Sequence, residues 1–268
     1  MSEENFYRER ALREEIVQVC QHMYDKDLIA ATDGNVSARW GEDHLLVTPS
    51  GVNKGLIGPQ DVLLTDLKGR KVSTETMSPN EYEPSAELRL HLEIYRQRAD
   101  VRAVVHGHPP ITTALTVAGI SLEPPVLPET LVTVGVIPTT DYATPSSSQG
   151  PVVVRELICE HDALALDRHG AVTVGATPLK AYFKLEKVEN TAYVILMARL
   201  LGRLQTLPEE QVRHLTELRA EMLGPNAHFA APDDDLCGLV QTFGPQSLDV
   251  EALADAVAER VLARLDQD

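Results

Sequence analysis

The residue types that could do chemistry are concentrated in a few short stretches. Val104-Val105-His106-Gly107-His108-Pro109 ends an apolar run in two histidines one residue apart. In a strand, residues i and i+2 project to the same face, so His106 and His108 can aim at one atom. Two converging neutral imidazoles are a common first half of a site for Zn²⁺ or another divalent metal, although an isolated pair reads equally as two unrelated histidines at a strand end. His169 in Arg168-His169-Gly170 sits between two apolar runs. There it could complete a three-imidazole site whose fourth position stays open for chemistry. The loops Ala31-Thr32-Asp33-Gly34-Asn35 and Thr48-Pro49-Ser50-Gly51 can aim backbone N–H groups and hydroxyls at an anion, although each alone also reads as an ordinary turn. Ser85, as a helix cap, would favour an anion together with the first N–H groups of its helix. Glu87 falls in the first turn of that helix, where a carboxylate commonly faces the helix dipole.

These residues need elements to hold them. Leu12, Ile16, Val19, Cys20 and Met23 predict an amphipathic helix from about residue 6 to 28. A strand-like exit follows Gly34, then a strand over 44–48 and two strands over 61–72 with a hairpin turn near Gly69. Leu88, Leu92 and Tyr95 share one face of a helix that feeds the histidine strand. A short helix over 109–118, a strand over 131–137 and a helix over 149–160 come next. Ala163 to Gly175 reads as a hairpin with His169 at its tip, and 178–204 as a long helix. His22, His44, His91, His161, His214 and His228 read as surface or packing residues.

The chain has 268 residues, 43% hydrophobic, with a formal net charge of −16. That charge argues against a nucleic-acid backbone as partner. Cys20, Cys159 and Cys237 are too few and too scattered for a disulfide framework, which fits a reducing cytosol. The acidic, polar start is no signal peptide, and no apolar run is long enough to span a membrane.

The ordered set Thr32-Asp33-Gly34-Asn35-Val36-Ser37, Thr48-Pro49-Ser50-Gly51, Pro84-Ser85-Ala86-Glu87, His106-Gly107-His108, Tyr142-Ala143-Thr144-Pro145 and His169-Gly170 resembles the class II aldolase/adducin family. Its members include L-fuculose-1-phosphate aldolase and ribulose-5-phosphate 4-epimerase. The resemblance covers roughly residues 6–222. It implies an α/β class II aldolase-like sandwich, with a central, largely antiparallel sheet flanked by helices, assembled as a homotetramer. It implies His106, His108, His169 and Glu87 as ligands of Zn²⁺ or another divalent metal, with Glu87 also the acid/base. Asn35, Ser50, Gly51 and Ser85 match phosphate-binding positions, with Thr32 and Gly34 beside them. The implied reaction is retro-aldol cleavage of a ketose 1-phosphate to dihydroxyacetone phosphate and an aldehyde. Epimerisation and dehydration of a sugar phosphate are the family's alternatives, and an adducin-like non-enzymatic module would not need the three histidines and Glu87 together. Ala86 stands where the fuculose enzyme has a second serine. Its protonating tyrosine has no counterpart near residues 125–130, where Glu129 lies.

Residues 1–223 are thus the expected catalytic domain and 224–246, with Pro, Gly and an acidic run, a linker. In 247–268, Val250, Leu253, Val257, Val261 and Leu265 form the stripe of an amphipathic helix. That helix either packs on its own tetramer or, as its likeness to encapsulation peptides implies, binds a shell protein through residues 247–266. The expected location is the cytoplasm and, under the second of these alternatives, the inside of a bacterial microcompartment.

Overall fold

The computed structural model describes residues 3–72, 81–224, 232 and 234–242. Strands β1 (Asn35–Trp40), β2 (His44–Val47), β3 (Leu63–Asp66), β4 (Ala103–Gly107), β5 (Ala163–Leu166) and β6 (Gly170–Gly175) form one sheet. Its order is β3-β2-β1-β4-β6-β5, with every pair of neighbours antiparallel. The helices are α1 (Glu3–Asp25), α2 (Leu88–Gln97), α3 (Pro110–Val117), α4 (Pro128–Thr133), α5 (Gly150–Val154), α6 (Pro178–Leu200) and α7 (Glu209–Leu223).

Period-two alternation divides the core between the two faces of the sheet. Val36, Ala38, Leu46, Ala103 and Val105 meet Ile16, Cys20 and Met23 of α1, Leu115 of α3 and Leu185, Val188 and Ala192 of α6. Leu45, Val47, Val104, Val172 and Val174 meet Leu88, Leu92 and Tyr95 of α2, with Val154 of α5. The result is a three-layer α/β/α sandwich, the expected fold class. His106 follows the parity of Val104 and therefore faces α2. The register sets Asn35 opposite His106 across β1 and β4.

Four local expectations are corrected. Residues 131–137 are not a strand: Pro128, whose missing N–H suits a first helical position, starts α4, and the chain is irregular beyond Val134. The helix expected over 149–160 breaks into α5 and a 3₁₀ turn at Leu157–Cys159, after the β-branched run Val152-Val153-Val154. The second strand of the 61–72 hairpin is only a bridge between Thr65 and Lys71, because Asp66 accepts the turn's Lys68 and Arg70 N–H groups itself. In the stretch read as a linker, β8 (Val240–Thr242) pairs with β7 (Arg203–Gln205) over the buried Leu204. The expected helix at 247–268 lies outside the described residues, as does His228. Among the described residues, no helix is long and apolar enough to cross a membrane.

Candidate metal centre and anion loops

Three segments meet at one end of the sheet. β4 delivers His106, fully buried, and His108 just beyond its end. The three-residue turn between β5 and β6 delivers His169, and the Arg168 N–H in that turn donates to Thr116 Oγ1 of α3 at 3.0 Å. The close approach of the two strands demands glycine: a Cβ on Gly170 would overlap the Gly107 carbonyl oxygen. Glu87 comes from α2, but as its N-cap at φ −92°, ψ 4° rather than inside the first turn; Ser85, expected as the cap, lies two residues earlier in the preceding turn, where its Oγ accepts the Glu87 N–H at 3.3 Å. Glu87, His91 and Tyr95 then recur at helical spacing along α2, opposite Asn35 and Ser37 of β1. Asn35 Nδ2 donates to Glu87 Oε2 at 3.0 Å, and Ser37 Oγ bonds His91 Nδ1 at 2.7 Å and the Tyr95 hydroxyl at 2.9 Å. His91 is therefore a packing residue, as expected, and burial pushes it down to about 3 with help from repulsion by His106.

The ligand atoms of Glu87, His106, His108 and His169 all lie within 4.8 Å of one another. The three imidazole centroids are 4.8–4.9 Å apart, and each pair of rings is inclined at 60–61°. Glu87 Oε2 is 3.2 Å from His106 Nε2, and Oε1 is 3.1 Å from His169 Nε2. His106 Nδ1 donates to the Ala171 carbonyl at 2.9 Å, and His108 Nδ1 lies 3.3 Å from Asp33 Oδ2. With those outward nitrogens protonated, the neutral rings turn lone pairs inward, yet His108 Nε2 and His106 Nε2 are only 3.1 Å apart. Acceptor facing acceptor is repulsive unless a cation stands between them. Zn–N bonds of about 2.0–2.1 Å would put tetrahedral ligands about 3.4 Å apart. The donor set and its outer hydrogen bonds thus fit a divalent metal.

Charge in the cluster follows the same pattern. Burial would raise the Glu87 carboxyl, but His106 and His169 outweigh it and hold it well below the usual carboxylate range. Burial would lower His106, but Glu87 and the Ala171 carbonyl raise it. Burial, then repulsion from His106 and His169, pushes His108 down to about 4.

Beside the cluster lies a cleft lined by Thr32, Gly34, Asn35, Ser50, Gly51, Ser85 and Glu87, with His108 and His169 on its wall. Every residue expected from the sequence to hold metal or anion is therefore in one place. The loops are tied together: Ser50 N–H donates to the Glu83 carbonyl and Ser85 N–H to that of Thr48. Gly34, at φ 69°, packs so closely that a Cβ would strike Ile29 and the His106 carbonyl oxygen. The sequence reading missed Asp33 behind His108, Lys54 on the cleft floor, and Ser146, whose φ of 59° is strained for a non-glycine residue and which shares the cleft wall. Only Asp33, inside a loop already singled out, had a signal. Glu129 is exposed on α4 and does not line the cleft.

Residues 14–196 match the Class II Aldolase and Adducin N-terminal domain. An L-fuculose phosphate aldolase of Methanococcus vannielii is 33% identical over 181 residues, which are 66% of this chain and 92% of that one. A 3-oxo-tetronate 4-phosphate decarboxylase of Cupriavidus necator is 32% identical over 188 residues, 69% of this chain and 83% of the other. The crystal structure of L-fuculose-1-phosphate aldolase from Thermus thermophilus is similar at a TM-score of 0.61 and 31% identity, covering 71% of this chain and 95% of that one.

Proposed function

The chain belongs to the class II aldolase and adducin N-terminal domain family, and from that premise we propose that it cleaves a ketose 1-phosphate, of the L-fuculose 1-phosphate kind, by a metal-dependent retro-aldol reaction. The products are dihydroxyacetone phosphate and an aldehyde such as lactaldehyde. The observation that carries the reading is the inward-facing cluster of His106, His108, His169 and Glu87 beside a cleft lined by Asn35, Ser50, Gly51 and Ser85. A divalent metal there, Zn²⁺ by the donor set, supplies Lewis-acid stabilisation for the negative charge that bond cleavage leaves on the phosphate-bearing half. The three imidazoles would hold the ion, with the Ala171 carbonyl behind His106 and Asp33 behind His108 fixing which nitrogen of those two rings faces inward. Ser50, Gly51, Ser85 and Asn35 bind the phosphate and so orient carbons away from it. Glu87 moves a proton at the substrate carbon that carries the developing charge. Incubation of purified, metal-loaded protein with ketose 1-phosphates, with dihydroxyacetone phosphate as readout, tests this; epimer formation without cleavage overturns it.

A second reading is decarboxylation of a 3-oxo sugar-acid phosphate, supported by the name of the Cupriavidus relative. It needs the same charge stabilisation beside a carbonyl, and CO₂ release from such a substrate distinguishes it. For assembly, the homotetramer fits the exposed Tyr193, Met197 and Leu201 around the end of α6, apolar surface that a second copy would cover. Residues 247–266 we assign to a targeting helix for a compartment shell, resting on their sequence pattern. Release of a reporter fused to residues 243–268 from shell particles after Leu253→Glu with Val257→Glu supports that; unaltered retention refutes it.

A further inference from the structure

Lys54 lies in a one-turn 3₁₀ helix just after the Ser50-Gly51 loop and is 2% exposed. Its ammonium donates to the Thr32 carbonyl at 2.9 Å and the Val52 carbonyl at 2.7 Å, one from each of two anion-type loops. An ammonium has three donors and a full charge. Lys54 forms no ion pair among the described residues. A buried charge is normally paired, because leaving water without a counter-charge is costly. Burial holds this amine below the usual ammonium range, with Cys20, Asp33 and Glu87 opposing that shift. Lys54 also lines the same cleft as Ser50, Gly51, Ser85 and Asn35.

We propose that Lys54 is the charge of the anion subsite: it clamps the 31–34 and 50–53 loops together and takes the phosphate of the ligand as its missing counter-ion. This rests on the phosphate reading made above. It explains how a chain with a net charge of −16 offers an anion a favourable seat: the seat needs one desolvated cation under neutral donors rather than a basic surface. A lysine that only tied two loops would hold them equally well with the cleft empty or full. A lysine that is the subsite's charge will show itself in anion affinity.

The probe is inorganic phosphate, titrated calorimetrically into the metal-loaded full chain at constant ionic strength. Lys54→Met keeps the length of the side chain and removes the charge. It is expected to weaken phosphate binding by about tenfold or more, with metal content retained and with KM for a phosphorylated substrate rising more than kcat falls. Phosphate affinity equal to that of the wild type in Lys54→Met overturns the proposal. Ser50→Ala and Ser85→Ala separate it from the reading beneath it. If wild-type protein does not bind phosphate, or neither serine variant weakens binding, the phosphate subsite itself falls. If the serine variants weaken binding and Lys54→Met does not, only the role of Lys54 falls. Should Lys54→Met fail to fold, a crystal of wild-type protein soaked in phosphate decides. Phosphate within about 6 Å of Nζ supports the assignment, and phosphate bound only farther away overturns it.

Discussion

His106 and His108 are each held from behind, by the Ala171 carbonyl and Asp33, so their inner nitrogens need no rearrangement to bind an ion. Glu87 differs, because its two oxygens lean on His106 and His169 and on the Asn35 amide, contacts it can exchange for others. Removing an imidazole and removing the carboxylate's charge should therefore have separable effects. His106→Ala is expected to lose bound metal and activity together. Glu87→Gln should keep the metal and lose about 10²–10⁴ in kcat, as metal analysis beside steady-state kinetics would show. Wild-type turnover in Glu87→Gln would remove it from the mechanism. At this scale the three candidate imidazole donors were legible because strand parity and a hairpin tip are local signals, whereas Glu87 read locally as a helix-dipole carboxylate and joined them only through the family resemblance. Lys54 was not legible: nothing in Val52-Asn53-Lys54-Gly55 marks it as buried, and one of its two carbonyl partners, Thr32, lies in a loop 22 residues earlier.

Between elements, a buried carboxylate joins what the hydrophobic clusters do not. Asp162, just before β5, accepts from Arg98 at the end of α2, Lys184 of α6 and Arg219 of α7. Burial would raise its carboxyl, but Lys184 and the two guanidiniums outweigh that and hold it below the usual range. Lys184 is itself lowered by burial, which Asp162 only partly offsets. A carboxyl with a depressed folded-state pKa binds its proton more readily in the unfolded chain. Its contribution is complete above the unfolded value of about 3.9 and vanishes as pH falls through the folded one. Asp162→Asn should accordingly flatten the acid limb of a stability–pH profile. At neutral pH it should cost about 3–5 kcal/mol in urea unfolding, because three cations remain together. At the strand junction, Gly170→Ala should loosen the packing of β6 on β4 and reduce metal retention, read by dialysis against a chelator. Apolar periodicity made α1, α2, α6 and the histidine strand legible. It failed at 131–137, where Val132, Val134 and Val136 alternate with Thr133 and Gly135 as in a strand, while Pro128 starts a helix that runs to Thr133 and packs against α7.

For the whole molecule, the core does not stop where composition changes. Gly238 N–H donates to the Leu207 carbonyl and Thr206 N–H to that of Leu239, so residues up to Thr242 complete a small sheet against α6. Truncation after Thr242 should leave the melting temperature and kcat unchanged. Truncation after Gly224 should uncover Leu204 and lower the melting temperature by several degrees, about 2–4 °C for each kcal/mol lost. A drop of equal size in both would place the stabilising contacts beyond Thr242. That division was not legible in the sequence, because β7 and β8 are three residues each and show no period.

The candidate metal donors are drawn from α2, β4 and the β5–β6 turn, from residue 87 to residue 169, and meet only when all three are docked. An ion that binds this arrangement and not the extended chain makes the concentration of free metal a variable of the folding equilibrium. At a hundred times its dissociation constant it would deepen the native basin by about 2.7 kcal/mol through mass action alone. Two preparations of one sequence, differing only in whether a chelator was used during purification, would then melt at different temperatures. Adding metal back to the stripped sample would erase the difference.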